Sequence, residues 1–490
     1  MSNELNRMTI SQLAPKVKSR KISPVDLTRA VLEQIEELDP IINAYITVDA
    51  EGALKAARTA QRQIAKGKYL GPLHGIPISL KDLYDTKGML TTAGSKIMSD
   101  RVPAEDATCV ARLRAAGAII VGKTNLHEFA FGSTTQNPHF GGTRNPYDTD
   151  RIPGGSSGGS AAALAADMCI ASTGSDTGGS IRTPAAFCGI VGLKPTYGRV
   201  SLRGIVPLAW SLDHVGPMTK CVRDAAIMLS AMAGYDPKDT TSANEKVPAY
   251  ARALKNDVKG LRIGIDSSFC FGGVEDEVAV AVRKALKLLE GLGARIVEVH
   301  LPSIELTSVA ESILITTESA TYHEDNLRNR AGDYGEDVRG LLEGGSVFSA
   351  VHYLKAQRFR RIIQQEFAEA FKKIDLFALP GAPVGAPPIG AETVSIGGTD
   401  TDVAMAVLRF ACPSNLTGLP AISVPCGLDQ QGLPIGLQLV GRAFDEATLL
   451  RAAYTFEANA EPIPKPRIEQ GSGVRGQGSG PHPPPPGGRG

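Results

Sequence analysis

No stretch of the 490-residue chain approaches eighteen uncharged apolar residues, and even residues 160–172 are broken by Asp167. That excludes a spanning helix of ordinary length. The first sixteen residues alternate polar and apolar side chains without the apolar segment of a secretory leader, so a cytoplasmic location is expected. Charge of one sign is also missing: 52 basic and 51 acidic residues leave a net +1, which points to neither nucleic acid nor a membrane as partner. The seven cysteines form no C-x-x-C pair and the eight histidines no H-E-x-x-H. Reduced thiols are therefore expected, with no metal and no other cofactor.

What is present is enough apolar material, 42% of the chain, to build a large core. Ser23-Pro24-Val25-Asp26 reads as an N-cap, an N1 proline and an early acid, followed by Leu27, Val31, Ile35 and Leu38 on one helical face. Residues 108–116 read as a helix stopped by Gly117, running into a strand at 118–121. Residues 261–265, 278–289 and 294–299 read as strand, helix and strand, and 374–379, 421–424 and 436–440 as further strands. The alternation predicts an α/β fold, a central mixed β-sheet covered by helices on both sides. The boundaries expected are one domain over 1–468, with a helical N-terminal layer to about 70, a catalytic core to about 225 and a C-terminal part to 468. Residues 469–490, rich in Gly, Ser and Pro, have almost nothing to bury and are expected to be disordered.

The most unusual stretch is Pro153-Gly154-Gly155-Ser156-Ser157-Gly158-Gly159-Ser160, followed by Gly174-Ser175-Asp176-Thr177-Gly178-Gly179-Ser180-Ile181-Arg182. The two clusters frame residues 161–171, an alanine-rich run that reads as a buried helix, so they sit inside the fold and are not linkers. Gly178 and Gly179 ahead of Ser180 allow backbone N–H groups to crowd one bound atom, as an oxyanion hole requires. Neither cluster holds the lysine of a P-loop. Gly154-Gly155-Ser156-Ser157-Gly158 matches a nucleophile elbow only formally, because no hydrophobic strand precedes it.

An activated serine needs a base. His214, beside Asp213, is one candidate; Lys81, at the end of the apolar run Ile76-Pro77-Ile78-Ser79-Leu80, is another. A free lysine is neutral in only about one molecule in 2,500 at pH 7, a handicap of about 4.6 kcal/mol. Burial lowers its pKa by up to about 3–5 units and removes that handicap. The residues alone leave Lys81 open as an ion-pair partner of Asp82, and they do not choose among the serines of 156–180.

Gly71-Pro72-Leu73-His74-Gly75-Ile76-Pro77-Ile78-Ser79-Leu80-Lys81-Asp82, the two Gly/Ser clusters, Val191-Gly192-Leu193-Lys194-Pro195-Thr196, Gly418-Leu419-Pro420-Ala421-Ile422-Ser423-Val424-Pro425 and Pro434-Ile435-Gly436-Leu437-Gln438 resemble the consecutive blocks of the amidase signature family. The resemblance spans nearly everything except the tail. It implies the amidase signature fold and a serine hydrolase of carbon–nitrogen acyl bonds. Ser180 is then the nucleophile, Ser156 the relay serine behind a cis peptide bond, and Lys81 the base. The backbone N–H groups of Thr177, Gly178, Gly179 and Ser180 would hold the oxyanion, and Ser157, Asp176 and Arg182 would support the loop.

Within the resemblance, a stand-alone hydrolase is expected, acting on a small-molecule amide, aryl amide or carbamate (a urethanase) without nucleic acid, a homodimer being left open. Phe129, Phe131, Trp210, Phe348, Tyr353 and Phe410 are candidates to line its apolar pocket. The alternative is the glutaminase subunit of a tRNA-dependent amidotransferase. Those subunits carry an acid about seven positions before the asparagine of the Asn-Leu-x-Gly block, where this chain has Leu408. They also carry Ser-Arg-Tyr-Gly where it has Ser201-Leu202-Arg203-Gly204. A catalytically dead scaffold of the same fold is the reading from another class.

Overall fold

Strands drawn from residues 45 to 441 join into one eleven-stranded mixed sheet flanked by helices in the computed structural model, which describes residues 2–468. The tail expected to be disordered, 469–490, lies outside the described residues. In chain order the strands are β1 (Tyr45–Val48), β2 (Pro77–Lys81), β3 (Ile119–Thr124), β4 (Ala171–Asp176), β5 (Val191–Lys194), β6 (His214–Thr219), β7 (Arg262–Ile265), β8 (Arg295–Glu298), β9 (Leu376–Pro380), β10 (Ala421–Leu428) and β11 (Pro434–Gly441). They lie side by side as β1-β3-β2-β4-β6-β5-β10-β11-β9-β7-β8. β2 runs parallel to both neighbours, whereas β4, β6, β5, β10 and β11 are joined antiparallel. The strand–helix–strand expected from residues 261–299 is present: β7 and β8 pair in parallel around the helix Asp276–Gly291.

Local signals act as read. Ser23 Oγ accepts from the N–H groups of Val25 and Asp26 at the start of the helix Pro24–Ile42, and Leu27, Val31, Ile35 and Leu38 are buried along it. The helix Thr108–Ala115 ends before Gly117, whose φ of 87° turns the chain into β3. Among the described residues no helix is long and apolar enough to cross a membrane.

The alanine-rich run is not one helix, as 161–171 had suggested. The helix Gly158–Ala165 stops, Asp167 takes a φ of 57°, and β4 begins at Ala171. Asp167 is anchored there by Lys220 Nζ at 2.6 Å and by Lys465. Ion pairs from distant segments, which an apolar pattern does not register, break the run.

Residues 152–188 are buried without exception. Glycine is required where this segment meets neighbouring backbone. A Cβ on Gly159 would sit 2.4 Å from Asn125 O, 2.6 Å from Asn125 N and 2.7 Å from Ala44 O. Gly159→Ala is expected to destabilise the protein by at least about 1–3 kcal/mol, since backbone cannot swing aside as a side chain does; chemical denaturation would read this as a lower midpoint with an unchanged slope.

Candidate active site

Lys81 ends β2, a strand buried along its whole length. Its Nζ donates to Ser156 Oγ at 2.7 Å and to Ser175 Oγ at 2.8 Å. The adjacent carboxylate of Asp82 does not take it: Asp82 pairs with Lys123 Nζ at 3.2 Å and accepts from Thr92. Burial therefore pushes the Lys81 ammonium well below its ordinary range, against the opposing pull of Asp176 and Asp213. An unpaired lysine in hydroxyl company is poised to be a neutral amine.

The Gly155–Ser156 peptide bond is cis. The Ser156 carbonyl accepts from the His127 N–H at 3.2 Å, and the Ser157 N–H donates to the Ser180 carbonyl at 3.2 Å. The two serine clusters are thus stitched together, although 24 residues separate Ser156 from Ser180 in the chain. Ser180 itself is buried, in the turn between β4 and the helix Arg182–Phe187.

That turn is organised by Asp176. Its Oδ1 accepts from the Gly179 N–H at 2.9 Å, Arg182 Nη2 at 2.8 Å and Asn415 Nδ2 at 2.9 Å; its Oδ2 accepts from the Ile181 N–H at 3.1 Å and Arg182 Nε at 2.9 Å. Burial would raise this carboxyl, but the guanidinium of Arg182 and the donors around it hold it well below the usual carboxylate range. Arg182 Nη1 reaches on to Ala411 O and Gln438. Of the four amides expected to face an oxyanion, Gly179 is committed to Asp176. Those of Thr177, Gly178 and Ser180 have no acceptor among the described residues.

His214 does not stand as a rival base. Its Nδ1 donates to Leu212 O at 2.6 Å, its Nε2 has no partner among the described residues, and burial beside Lys194 keeps its pKa far below the ordinary histidine value. Asp213 turns elsewhere, accepting from Thr177 Oγ1 at 2.6 Å and from the N–H groups of Leu208 and Ala209. Of the aromatic candidates, Phe129, Phe131 and Phe410 are buried, Tyr353 is half-buried, and Trp210 and Phe348 are exposed.

Four participants escaped the sequence reading. Ser175 bonds Lys81, Asn415 and Gln438 complete the Asp176–Arg182 cluster, and Glu311 lies beside Gly178. Ser175 adjoins Asp176 in the glycine-serine cluster, which was a usable signal. Glu311 lies in a stretch with no motif.

The amidase family model matches residues 26–450. The A subunit of the glutamyl-tRNA(Gln) amidotransferase of Geobacter metallireducens is 45% identical over 93% of this chain and 97% of its own length. Among solved structures, a chain from a vestigial protein complex tied to the origins of an s-triazine catabolic enzyme superposes with a TM-score of 0.89 at 36% identity, covering 93% of this chain and all of the other. The A subunit of the Thermotoga maritima amidotransferase gives 0.80 at 36% identity, over 95% and 98%. These relatives correct the expectation of a chain that serves only a small-molecule amide or carbamate and has nothing to do with nucleic acid. Proteins this similar are named as one subunit of an enzyme for glutamyl-tRNA.

Removing the Arg182 guanidinium strands a buried carboxylate. Arg182→Ala is expected to cost about 3–5 kcal/mol, read as a lowered melting temperature. Lys81 acts in the opposite direction. Its folded pKa lies below the unfolded one, so between the two values the unfolded chain holds the extra proton, and stability rises with pH and falls as pH drops. Lys81→Met removes that burden and is expected to melt no lower than the wild type at pH 7, as differential scanning calorimetry would show.

Proposed function

The chain belongs to the amidase signature family, enzymes that hydrolyse amide C–N bonds, and on that premise we propose that Ser180 is its nucleophile, Ser156 its proton relay and Lys81 its base. The observation that carries this reading is the buried Lys81 Nζ, 2.7 Å from Ser156 Oγ and unpaired with any carboxylate among the described residues. Neutral Lys81 takes the proton of Ser156 as Ser156 takes that of Ser180, whose Oγ bonds to the amide carbon. The oxyanion is held by the amides of Thr177, Gly178 and Ser180, with Gly179 shaping the turn. The proton returns through Ser156 to the leaving nitrogen, the C–N bond breaks and ammonia departs. Water, deprotonated through the same pair, then cleaves the acyl ester and restores Ser180. Ser157, Asp176 and Arg182 position the loop, and residues 1–468 act as one catalytic unit.

We further propose that the amide is the side-chain carboxamide of glutamine and that the chain works as the glutaminase component of a glutamyl-tRNA(Gln) amidotransferase. Its full-length similarity to such components supports this. The ammonia then passes to a partner that holds the glutamyl-tRNA.

The test is ammonia release from glutamine, by the chain alone and with the remaining amidotransferase subunits and glutamyl-tRNA(Gln). The amidotransferase reading fails if glutamine is inert in both settings while simpler amides are cleaved. Within the mechanism, Ser180→Ala abolishes turnover and labelling by a fluorophosphonate. Wild-type kcat/KM rises along an alkaline limb as Lys81 loses its proton. A flat profile from pH 6 to 10 with chemistry rate-limiting contradicts the lysine base.

A further inference from the structure

Glu311, on the helix Thr307–Tyr322, is buried to 1% exposure. Neither of its carboxylate oxygens has a hydrogen-bond partner among the described residues. This is costly: an unmade hydrogen bond to a buried polar group forfeits its full desolvation, and natural cores contain few such groups. Glu311 stands where the chemistry is proposed to occur. A Cβ on Gly178 would lie 3.7 Å from Glu311 Oε2, 3.4 Å from Ile315 Cδ1 and 3.6 Å from Leu408 Cδ2. The open side of an oxyanion-loop glycine thus faces two aliphatic side chains and one unpartnered acid.

The neighbours of Glu311 do not satisfy it. The Arg182 guanidinium is committed to Asp176, Ala411 O, Asn415 and Gln438. Arg360 is committed to Leu416 O and Ser211. Asp176 faces it as a like charge, and the adjacent Cys412 thiol is a weak donor. With burial the largest cause, the carboxyl is pushed up to about 8. A cationic group brought beside it would pull that value down, so its binding would be coupled to loss of the Glu311 proton and would strengthen as pH rises toward 8.

We infer that Glu311 is a specificity-determining residue that receives an ammonium group carried by the substrate a few bonds from the scissile carbonyl. The inference rests on the amidase reading and deepens the glutamine one. The acid that amidotransferase subunits place seven residues before their asparagine is absent at Leu408. Here the helix Thr307–Tyr322 brings an acid beside Gly178, and the aliphatic Leu408 forms part of the wall. Glu311 forms no bond to the reacting atoms and fixes which amides are presented to Ser180.

The experiment compares amides that differ chiefly by an ammonium group: glutamine against glutaramate, and β-alaninamide against propionamide. The variants are Glu311→Gln and, should that fold poorly, Glu311→Met, whose unbranched apolar side chain suits the aliphatic wall. Wild type is expected to prefer the ammonium-bearing member. Both variants should lose about 10- to 100-fold of that preference, carried by KM with kcat little changed. A merely structural acid would depress both members of a pair equally and lower the melting temperature; that result, or an unchanged preference, overturns the inference. If glutamine is inert and β-alaninamide is cleaved, the amidotransferase reading fails, and the second pair alone decides the role of Glu311. If nothing is turned over, calorimetric binding of the four compounds to Ser180→Ala, with and without Glu311→Gln, decides it: affinities that do not depend on the ammonium overturn it.

Discussion

The buried carboxylate of Asp176 accepts five hydrogen bonds, and the geometry of the proposed site hangs on it. A charge taken out of water is tolerated only when donors replace the lost hydration. Three of the five donors come from the Gly179 and Ile181 amides and Asn415, and two from Arg182. Satisfying one charge therefore bends the chain around Ser180. Arg182 extends the constraint to Gln438 on β11 and to Ala411, so the C-terminal third of the protein clamps a turn made by the middle third.

Against that fully satisfied pair, the lysines divide by company. Lys123 is buried and paired with Asp82; Lys194 is buried and donates to backbone carbonyls of Leu419 and Pro195. Lys81 is buried with only two serine hydroxyls as partners among the described residues. Desolvation acts on all three, but Lys123 also holds a carboxylate and a carbonyl besides the Thr91 hydroxyl, and of the three only Lys81 combines a depressed pKa with partners that are all hydroxyls. The Lys123–Asp82 pair matters to Lys81 by subtraction, since it occupies the nearest carboxylate.

Opposite Gly178 the wall is built by segments with no sequence signature: Glu311 and Ile315 from one helix, Leu408 from another. The shared blocks carry the proposed catalytic residues, whereas these helices carry none of the motifs. A subunit of a glutamyl-tRNA amidotransferase and a chain of a vestigial complex tied to the origins of an s-triazine catabolic enzyme are both similar to this one, as a fold that hosts more than one function allows.

The sequence by itself determined the repetitive parts. Hydrophobic period and capping marked the helix Pro24–Ile42 and the strand–helix–strand of residues 262–298, because these patterns arise from local geometry. The glycine-serine clusters and the lysine at the end of an apolar run marked the serines of 156–180 and Lys81 as candidates, and the resemblance to the amidase signature blocks chose Ser156 and Ser180 among those serines. Only the tertiary structure decided that Asp82 turns to Lys123, that Asp167 breaks the alanine-rich run, that the Gly179 amide belongs to Asp176, and that Glu311 arrives beside Gly178. Apart from the local Gly179–Asp176 bond, which spans three residues, each of these depends on which groups meet across tens to hundreds of residues. Such pairing is set by the desolvation of side chains in the assembled core, and linear spacing carries no record of it.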